Sequence, residues 1–263
     1  MNNKKIVLIT GAAGGIGEAV SRRFRKEGFS LILVDRNAAA LREKFADWSE
    51  DADVKLLAVD LEKTDQTIPL RDIVKTLPQG LAAVAFCHGG CIVDSTPFPG
   101  IKYWDINYRC NVASCINAIE ACIAGLQRGK GNLVLLSSVD AILSLEGAGP
   151  YDAAKASLLS LAKSVSRAYS PDVCAIAMIL GTVSSQVWDR VIEQDSGALD
   201  RRGNENLAGK VISTEEAAGL IWLLCQTEAR PMRGQSVIAD NGWSFLAGTF
   251  RFDQRNSLNP SLA

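Results

Sequence analysis

Residues 6–17 read IVLIT-GAAGGIG: a short uncharged apolar run, then a loop with glycines at 11, 14, 15 and 17. The run is too short for a helix and has the character of a strand buried on both faces. The loop opens a helix. Glycines at such a junction let the backbone turn tightly and approach a pyrophosphate, while the helix N-terminus offers free N–H groups and the positive end of its dipole. Gly11, Gly14, Gly15, Ile16 and Gly17 are therefore candidate phosphate-binding residues.

A glycine-rich run alone is a weak signal, but Asp35 closes the next apolar run, at 31–35. A carboxylate there can accept hydrogen bonds from both hydroxyls of an adenosine ribose, and it would repel a 2′-phosphate in a partly dry cleft. NAD is expected over NADP. Arg36 is positioned to hold such a phosphate, but Ala12, Ala13 and Gly14 supply no second cation.

Outward from this unit, apolar runs at 5–10, 31–35, 55–60, 82–87, 132–138, 173–180 and 235–240 alternate with helical patterns. The helices are expected at 15–27, 38–48, 67–76, 101–127, 151–169 and 214–226. This rhythm predicts an α/β fold, a Rossmann-type doubly wound parallel seven-stranded sheet with helices on both faces. No linker, charge block or repeat divides residues 1–263, so a single domain is expected. Residues 182–212 break the rhythm after a strand end, which suggests a lid over a substrate, and 244–263 form a tail.

The composition fits that picture. Among 263 residues, 28 Lys and Arg offset 29 Asp and Glu for a net charge of −1, so no basic surface points to nucleic acid. Hydrophobic residues make up 48% and charged residues 22%, which argues against disorder. The apolar run at 6–9 is short for a signal peptide, and the uncharged stretch 76–93 is interrupted by Pro78, Gly80, His88, Gly89 and Gly90. No membrane partner is expected. The seven cysteines include no C-x-x-C pair, which points to a reducing cytoplasm. The cluster Cys87-His88-Gly89-Gly90-Cys91 reads as a packed turn rather than a metal site, since no fourth ligand lies near it in sequence.

Tyr151 and Lys155 lie one helical turn apart and share a face. Bringing a phenol from about 10 to about 7 takes roughly 4 kcal/mol, and a nearby ammonium is one source of it. Ser138 ends the fifth apolar run, where its hydroxyl can reach the same crevice and hold a substrate oxygen.

Taken together, TGAAGGIG at 10–17, Asp60-Leu61, Asn111, Ser137-Ser138 and Tyr151-x-x-x-Lys155 resemble the short-chain dehydrogenase/reductase family over nearly the whole chain. The resemblance implies that Tyr151 transfers a proton, Ser138 polarises the carbonyl or alcohol, and Lys155 lowers the Tyr151 pKa and binds the nicotinamide ribose. It further implies that Asn111 holds a relay water, that Asp60 and Leu61 line the adenine, and that Val183 binds the carboxamide through its backbone. Cys87, Gly89 and Ser185 fall at other cofactor-contacting positions of the family pattern. The implied activity is NAD-dependent alcohol dehydrogenase or ketoreductase chemistry on a secondary alcohol or ketone. A non-catalytic NAD-binding redox sensor and an epimerase or dehydratase with transient hydride transfer are the alternatives.

Three departures stand out. The family's N-N-A-G turn appears as Cys87-His88-Gly89-Gly90, Pro-Gly as Leu180-Gly181, and the later threonine as Ser185. His88 is expected to replace the missing asparagine structurally. Asp240-Asn241-Gly242 stands for the usual D-G-G, since Asn tolerates positive φ. Candidate pocket residues are Cys91, Val93, Asp140, Leu143, Gly181, Val187 and Trp188, a mixture suited to a cyclic or aryl-bearing substrate; Arg190, Arg201 and Arg202 are expected at the surface. Stripes at Cys115, Ile119, Cys122 and at Ala156, Leu159, Ala162, Val165 read as core. Family members commonly pair these two helices, which implies a homodimer or homotetramer.

Overall fold

The computed structural model describes residues 4–94, 96–144 and 147–246. Strands form wherever branched apolar residues run uninterrupted: β1 Ile6–Thr10, β2 Ser30–Asp35, β3 Val54–Ala58, β4 Ala83–Phe86, β5 Asn132–Ser138 and β6 Cys174–Leu180. The short strands β7 Val183–Ser184 and β8 Ile212–Ser213 pair with each other, and β9 is Ser236–Ala239. The main sheet has the order β3-β2-β1-β4-β5-β6-β9 with every neighbouring pair parallel. All seven expected runs are present in it, shortened or extended by a residue or two. The direction of winding reverses between β1 and β4, and the crevice at a parallel sheet's switch point is where ligands bind.

The helices are α1 Gly15–Lys26, α2 Ala38–Lys44, α3 Ile68–Lys75, α4 Ile101–Tyr108, α5 Ser114–Gly129, α6 Asp140–Leu143 and α7 Gly149–Tyr169. After β7 come α8 Asp189–Gln194 and α9 Ala198–Asn204, and after β8 come α10 Thr214–Leu224 and, past β9, α11 Trp243–Leu246. Successive strand residues point to opposite faces, and both faces are apolar. Ile6, Leu8, Ile32, Val34, Val84, Phe86, Leu133 and Leu135 pack with α3, α5 and α7. Val7, Ile9, Leu31, Leu33, Ala85, Val134 and Ile176 pack with α1, α2 and α10. Burial on both sides explains why the runs show no polar alternation.

Three expectations need revision. The helix expected at 101–127 is divided by a π-turn, Arg109–Ala113, and runs on to Gly129. The helix expected at 38–48 ends at Lys44 and continues as the tight turn Ala46–Trp48, around which Phe45 and Trp48 stack. Residues 182–212 are more regular than the sequence implied, because the β7–β8 pairing closes the segment's base around α8 and α9. Beyond Leu246 the expected tail lies outside the described residues.

Candidate active site

The glycine loop follows from crowding. Gly11 takes φ +63°, and a Cβ there would lie 2.7 Å from the backbone of His88; a Cβ on Gly17 would land on the Gly11 carbonyl oxygen. Gly14 N–H donates to Gly11 O at 3.0 Å, and no side chain caps α1. The first N–H groups of that helix are therefore left for an anion. Ser185 reaches the same place, with its Cβ 3.2 Å from where a Gly15 Cβ would stand.

Asp35 is held rather than loose. Its Oδ2 accepts from Ala13 N–H at 3.0 Å and its Oδ1 from Asn37 N–H at 2.9 Å, tying the end of β2 to the glycine loop. A carboxylate has about four acceptor sites, so two remain for a ligand's hydroxyls. Arg36 pairs with Glu62 at 3.3 Å, and both line the same groove as Asp35. A groove of about 360 Å³ runs from Gly11, Gly14 and Asp35 past Asp60 and Leu61 to Cys87, His88 and Gly89. The cradle of backbone, the open helix end and the acid fit a dinucleotide.

At the switch point His88 replaces the family's asparagine by bridging three elements. Its Nδ1 lies 2.5 Å from Thr10 Oγ1, and its Nε2 lies 3.0 Å from Ser114 Oγ. Ser114 already donates its hydroxyl to Cys110 O at 2.8 Å. This network assigns Nε2 as donor to Ser114 and Nδ1 as acceptor from Thr10. Burial first, and the Lys155 charge second, push the imidazole down to about 3, so it is neutral. Burial also pushes the Cys87 thiol up to about 12. No group of three or more His, Cys, Asp or Glu among the described residues is arranged to hold a metal.

Asn111 sits in the π-turn, fully buried. Its Nδ2 donates to Gly90 O at 2.8 Å and to Asn107 O at 3.0 Å, and its Oδ1 accepts from Gly90 N–H at 3.2 Å. Asn107, one turn earlier, does the same for Ile92, accepting at 3.2 Å and donating at 2.7 Å. The two asparagines hold residues 90–92 as if they were a ladder strand. Sequence reading missed Asn107, although its spacing to Asn111 places both on one helical face. It also missed Ser114, Ile92, Ile106 and Cys110, all four of which join the groove wall only through the fold.

Lys155 is 6% exposed, and its Nζ donates to Leu136 O at 2.9 Å. Ser137 Oγ donates to Lys155 O at 2.9 Å, which fixes α7 against the end of β5. Nζ lies 5.6 Å from the Tyr151 ring centroid and 3.2 Å from where a Gly89 Cβ would stand. Burial lowers the Lys155 pKa. Burial raises that of Tyr151, as do the nearby Cys91 and Asp140, while a hydrogen bond with Ser138 opposes the rise; the direction is opposite to the lowering expected from Lys155, because desolvation of the phenolate is the largest influence. Asp140 is also raised by burial, against its hydrogen bond with Ser138 and the charge of Arg202. Arg202 is partly exposed, with its guanidinium 5.7 Å from the Trp243 ring and 3.0 Å from Glu205.

The remaining departures are absorbed locally. Leu180 is buried and its carbonyl accepts from Val139 N–H at 2.9 Å, while Gly181 N–H donates to Ala239 O at 2.9 Å. Asn241 takes φ +55° and Gly242 φ +78°. Val183 is buried in the β7–β8 pair beside the site. No helix among the described residues is long and apolar enough to cross a membrane.

Comparison with known proteins places this arrangement. A family model described as enoyl-(acyl carrier protein) reductase matches residues 11–244. Dehydrogenase/reductase SDR family member 6 of Rattus norvegicus is 29% identical over 91% of this chain and 97% of its own. A diacetyl reductase [(S)-acetoin forming] of Staphylococcus epidermidis is 26% identical over 90% of this chain and 98% of its own. The crystal structure of an oxidoreductase of the short-chain dehydrogenase/reductase family from Burkholderia thailandensis superposes with a TM-score of 0.84 at 27% identity, covering 94% of this chain and 95% of that one.

Proposed function

The chain belongs to the short-chain dehydrogenase/reductase family, and from that premise we propose that it interconverts a secondary alcohol and a ketone with NAD(H). The observation that carries this reading is the meeting of Ser138, Tyr151 and Lys155 at the end of β5, beside the groove of the glycine loop. When bound, the nicotinamide cofactor supplies or accepts the hydride. The residues around it handle the proton. Ser138 Oγ holds the substrate oxygen, Tyr151 Oη exchanges a proton with that oxygen, and the positive charge of Lys155 works against the burial that keeps the phenol protonated. Asn111 keeps the 89–90 turn in place, so that Gly89 leaves room for Lys155.

NAD is proposed over NADP because the Asp35 carboxylate faces the groove and the charge of Arg36, which also lines it, is matched by Glu62. Replacing Asp35 with Ser should narrow the NAD/NADP ratio of kcat/KM by about tenfold or more. An unchanged ratio would remove Asp35 from cofactor selection. The substrate is proposed to be a small ketone or alcohol bound near Cys91, Asp140 and the segment 182–212, which serves as a lid. A homodimeric or homotetrameric state and a cytoplasmic location go with the same reading.

The decisive experiment is a panel of cyclic, aryl and short-chain alcohols and ketones assayed with NAD and NADH, in parent and Tyr151→Phe. Turnover in the parent and its loss in the variant, with NAD affinity retained, is the expected result. Equal turnover in the two would refute the assignment. Substrate consumption without net NADH change would favour epimerase or dehydratase chemistry.

A further inference from the structure

Ser138 and Tyr151 meet at the substrate end of the site, and a third polar side chain stands with them. Asp140 opens α6 two residues after Ser138, and its backbone N–H donates to Ser138 Oγ at 3.3 Å. Val139, between them, is buried and donates its N–H to Leu180 O at 2.9 Å, so the turn from β5 into α6 is pinned to β6. Asp140 is half-buried, and the Ser138 hydroxyl hydrogen-bonds both to its carboxyl and to the Tyr151 phenol. A hydroxyl has one proton and two lone pairs. With the Asp140 N–H on one lone pair and the phenol on the other, the Ser138 proton goes to the Asp140 carboxylate.

Among the described residues no lysine or arginine is ion-paired with this carboxylate. Arg202, whose charge Asp140 feels, pairs with Glu205 at 3.0 Å, and Lys155 Nζ donates to Leu136 O at 2.9 Å. Burial accordingly raises the Asp140 pKa, whereas Lys4 and Ser30 lower that of Asp53 and Lys210 lowers that of Glu216. A half-buried carboxylate with about four acceptor sites is short of donors when one hydroxyl serves it. Yet the reaction proposed above asks Ser138 to give that same proton to the substrate oxygen. Both demands are met when the substrate brings a donor of its own. Two groups hydrogen-bonded to one hydroxyl stand about 4.5 Å apart, and a heteroatom on the neighbouring carbon stands about 3 Å from the reacting oxygen, so it falls within reach of Asp140.

Resting on that reading of the site, we propose that Asp140 selects substrates with a hydroxyl or ammonium group on the carbon next to the reacting one: a vicinal diol or amino alcohol, or the corresponding hydroxy- or amino-ketone. The substrate's donor takes over the Asp140 carboxylate, and the Ser138 proton turns to the reacting oxygen, where negative charge develops. A plain alcohol leaves the Ser138 proton on Asp140 and reacts slowly. A carboxylate or phosphate on the neighbouring carbon is repelled by Asp140. Asp140 thus sets specificity by touching the substrate and by releasing Ser138.

The test measures kcat and KM with NAD for cyclohexanol, for cis- and trans-1,2-cyclohexanediol and for 2-aminocyclohexanol, in the parent, Asp140→Asn and Asp140→Ala, with NAD binding titrated in each protein as a check on folding. The parent should prefer a diol or the amino alcohol to cyclohexanol by about tenfold or more in kcat/KM. Both variants should collapse that preference, and cyclohexanol should gain severalfold in kcat because the Ser138 proton is set free. A larger fall for the amino alcohol than for the diols in Asp140→Asn would identify an ammonium as the recognised donor, and the reverse would identify a hydroxyl. A parent that turns over cyclohexanol at least as well as the others would overturn the role of Asp140, as would variants that slow every substrate equally; either result leaves the alcohol/ketone reading standing. No turnover by the parent of these substrates or of the wider panel would remove that reading and this proposal with it.

Discussion

His88 shows how a single side chain can substitute for a different chemistry. An asparagine and this imidazole share the ability to donate at one end and accept at the other, and His88 uses both to join β1, the turn after β4 and α5. Its neutrality carries a sign. The folded pKa of about 3 lies below the ordinary value of 6.5, so between these values the unfolded chain binds more protons and stability rises with pH. Acidification from 6.5 towards 3 should therefore cost up to about 5 kcal/mol through His88. His88→Asn should show a shallower loss in urea unfolding measured from pH 4 to 7; equal slopes in parent and variant would contradict this. Tyr151 runs the other way. Burial raises its pKa, so it stays protonated through neutral pH, and alcohol oxidation should accelerate as pH rises into the alkaline range while ketone reduction slows. A pH–rate profile flat over that range would argue against the phenol as the proton carrier. At Gly17 the effect is steric. Gly17→Ala must move the Gly11 carbonyl, which should cost about 1–3 kcal/mol and weaken cofactor binding, as read by denaturation and by NAD titration.

The helices differ in how much of their form is local. α10 begins where Ser213 Oγ accepts from Glu216 N–H at 3.0 Å and Glu216 accepts from Ser213 N–H at 2.9 Å, a reciprocal cap already visible as Ser213-Thr214-Glu215-Glu216. Ser213→Ala should therefore lower stability by about 1 kcal/mol with little effect on turnover, checked by thermal melting and steady-state rates. The π-turn at Arg109–Ala113 is of another kind. Its residues carry an ordinary helical pattern, and the widened turn coincides with the hydrogen bonds of Asn107 and Asn111 to the 90–92 segment. Sequence reading placed Asn111 in a helix but had no means of placing the turn, because those partners lie 15 to 21 positions away. The segment 182–212 differs again: its base is set by β7 and β8, each a pair of residues too short to register as strands.

Among the described residues, one main sheet with an apolar layer on each face leaves no boundary at which a part could unfold alone. Thermal unfolding should be a single transition by far-UV and near-UV circular dichroism, and NAD at about a hundredfold excess over its Kd should raise the midpoint by roughly 5–10 °C. Two separated transitions would refute the single unit. What the sequence by itself determined was the strand set, the glycine loop, Asp35, and the Ser138, Tyr151 and Lys155 candidates. Strands buried on both faces must be continuously apolar, and a backbone cradle for phosphate needs glycines at set positions, so both leave local marks. What only the tertiary structure decided were the contacts between distant residues: His88 with Thr10 across 78 positions, Arg36 with Glu62, and Asn111 with Gly90. A charge or imidazole has no local pattern that names its partner. Only the packing of α5, α7 and the strand ends against one another brings those partners within reach.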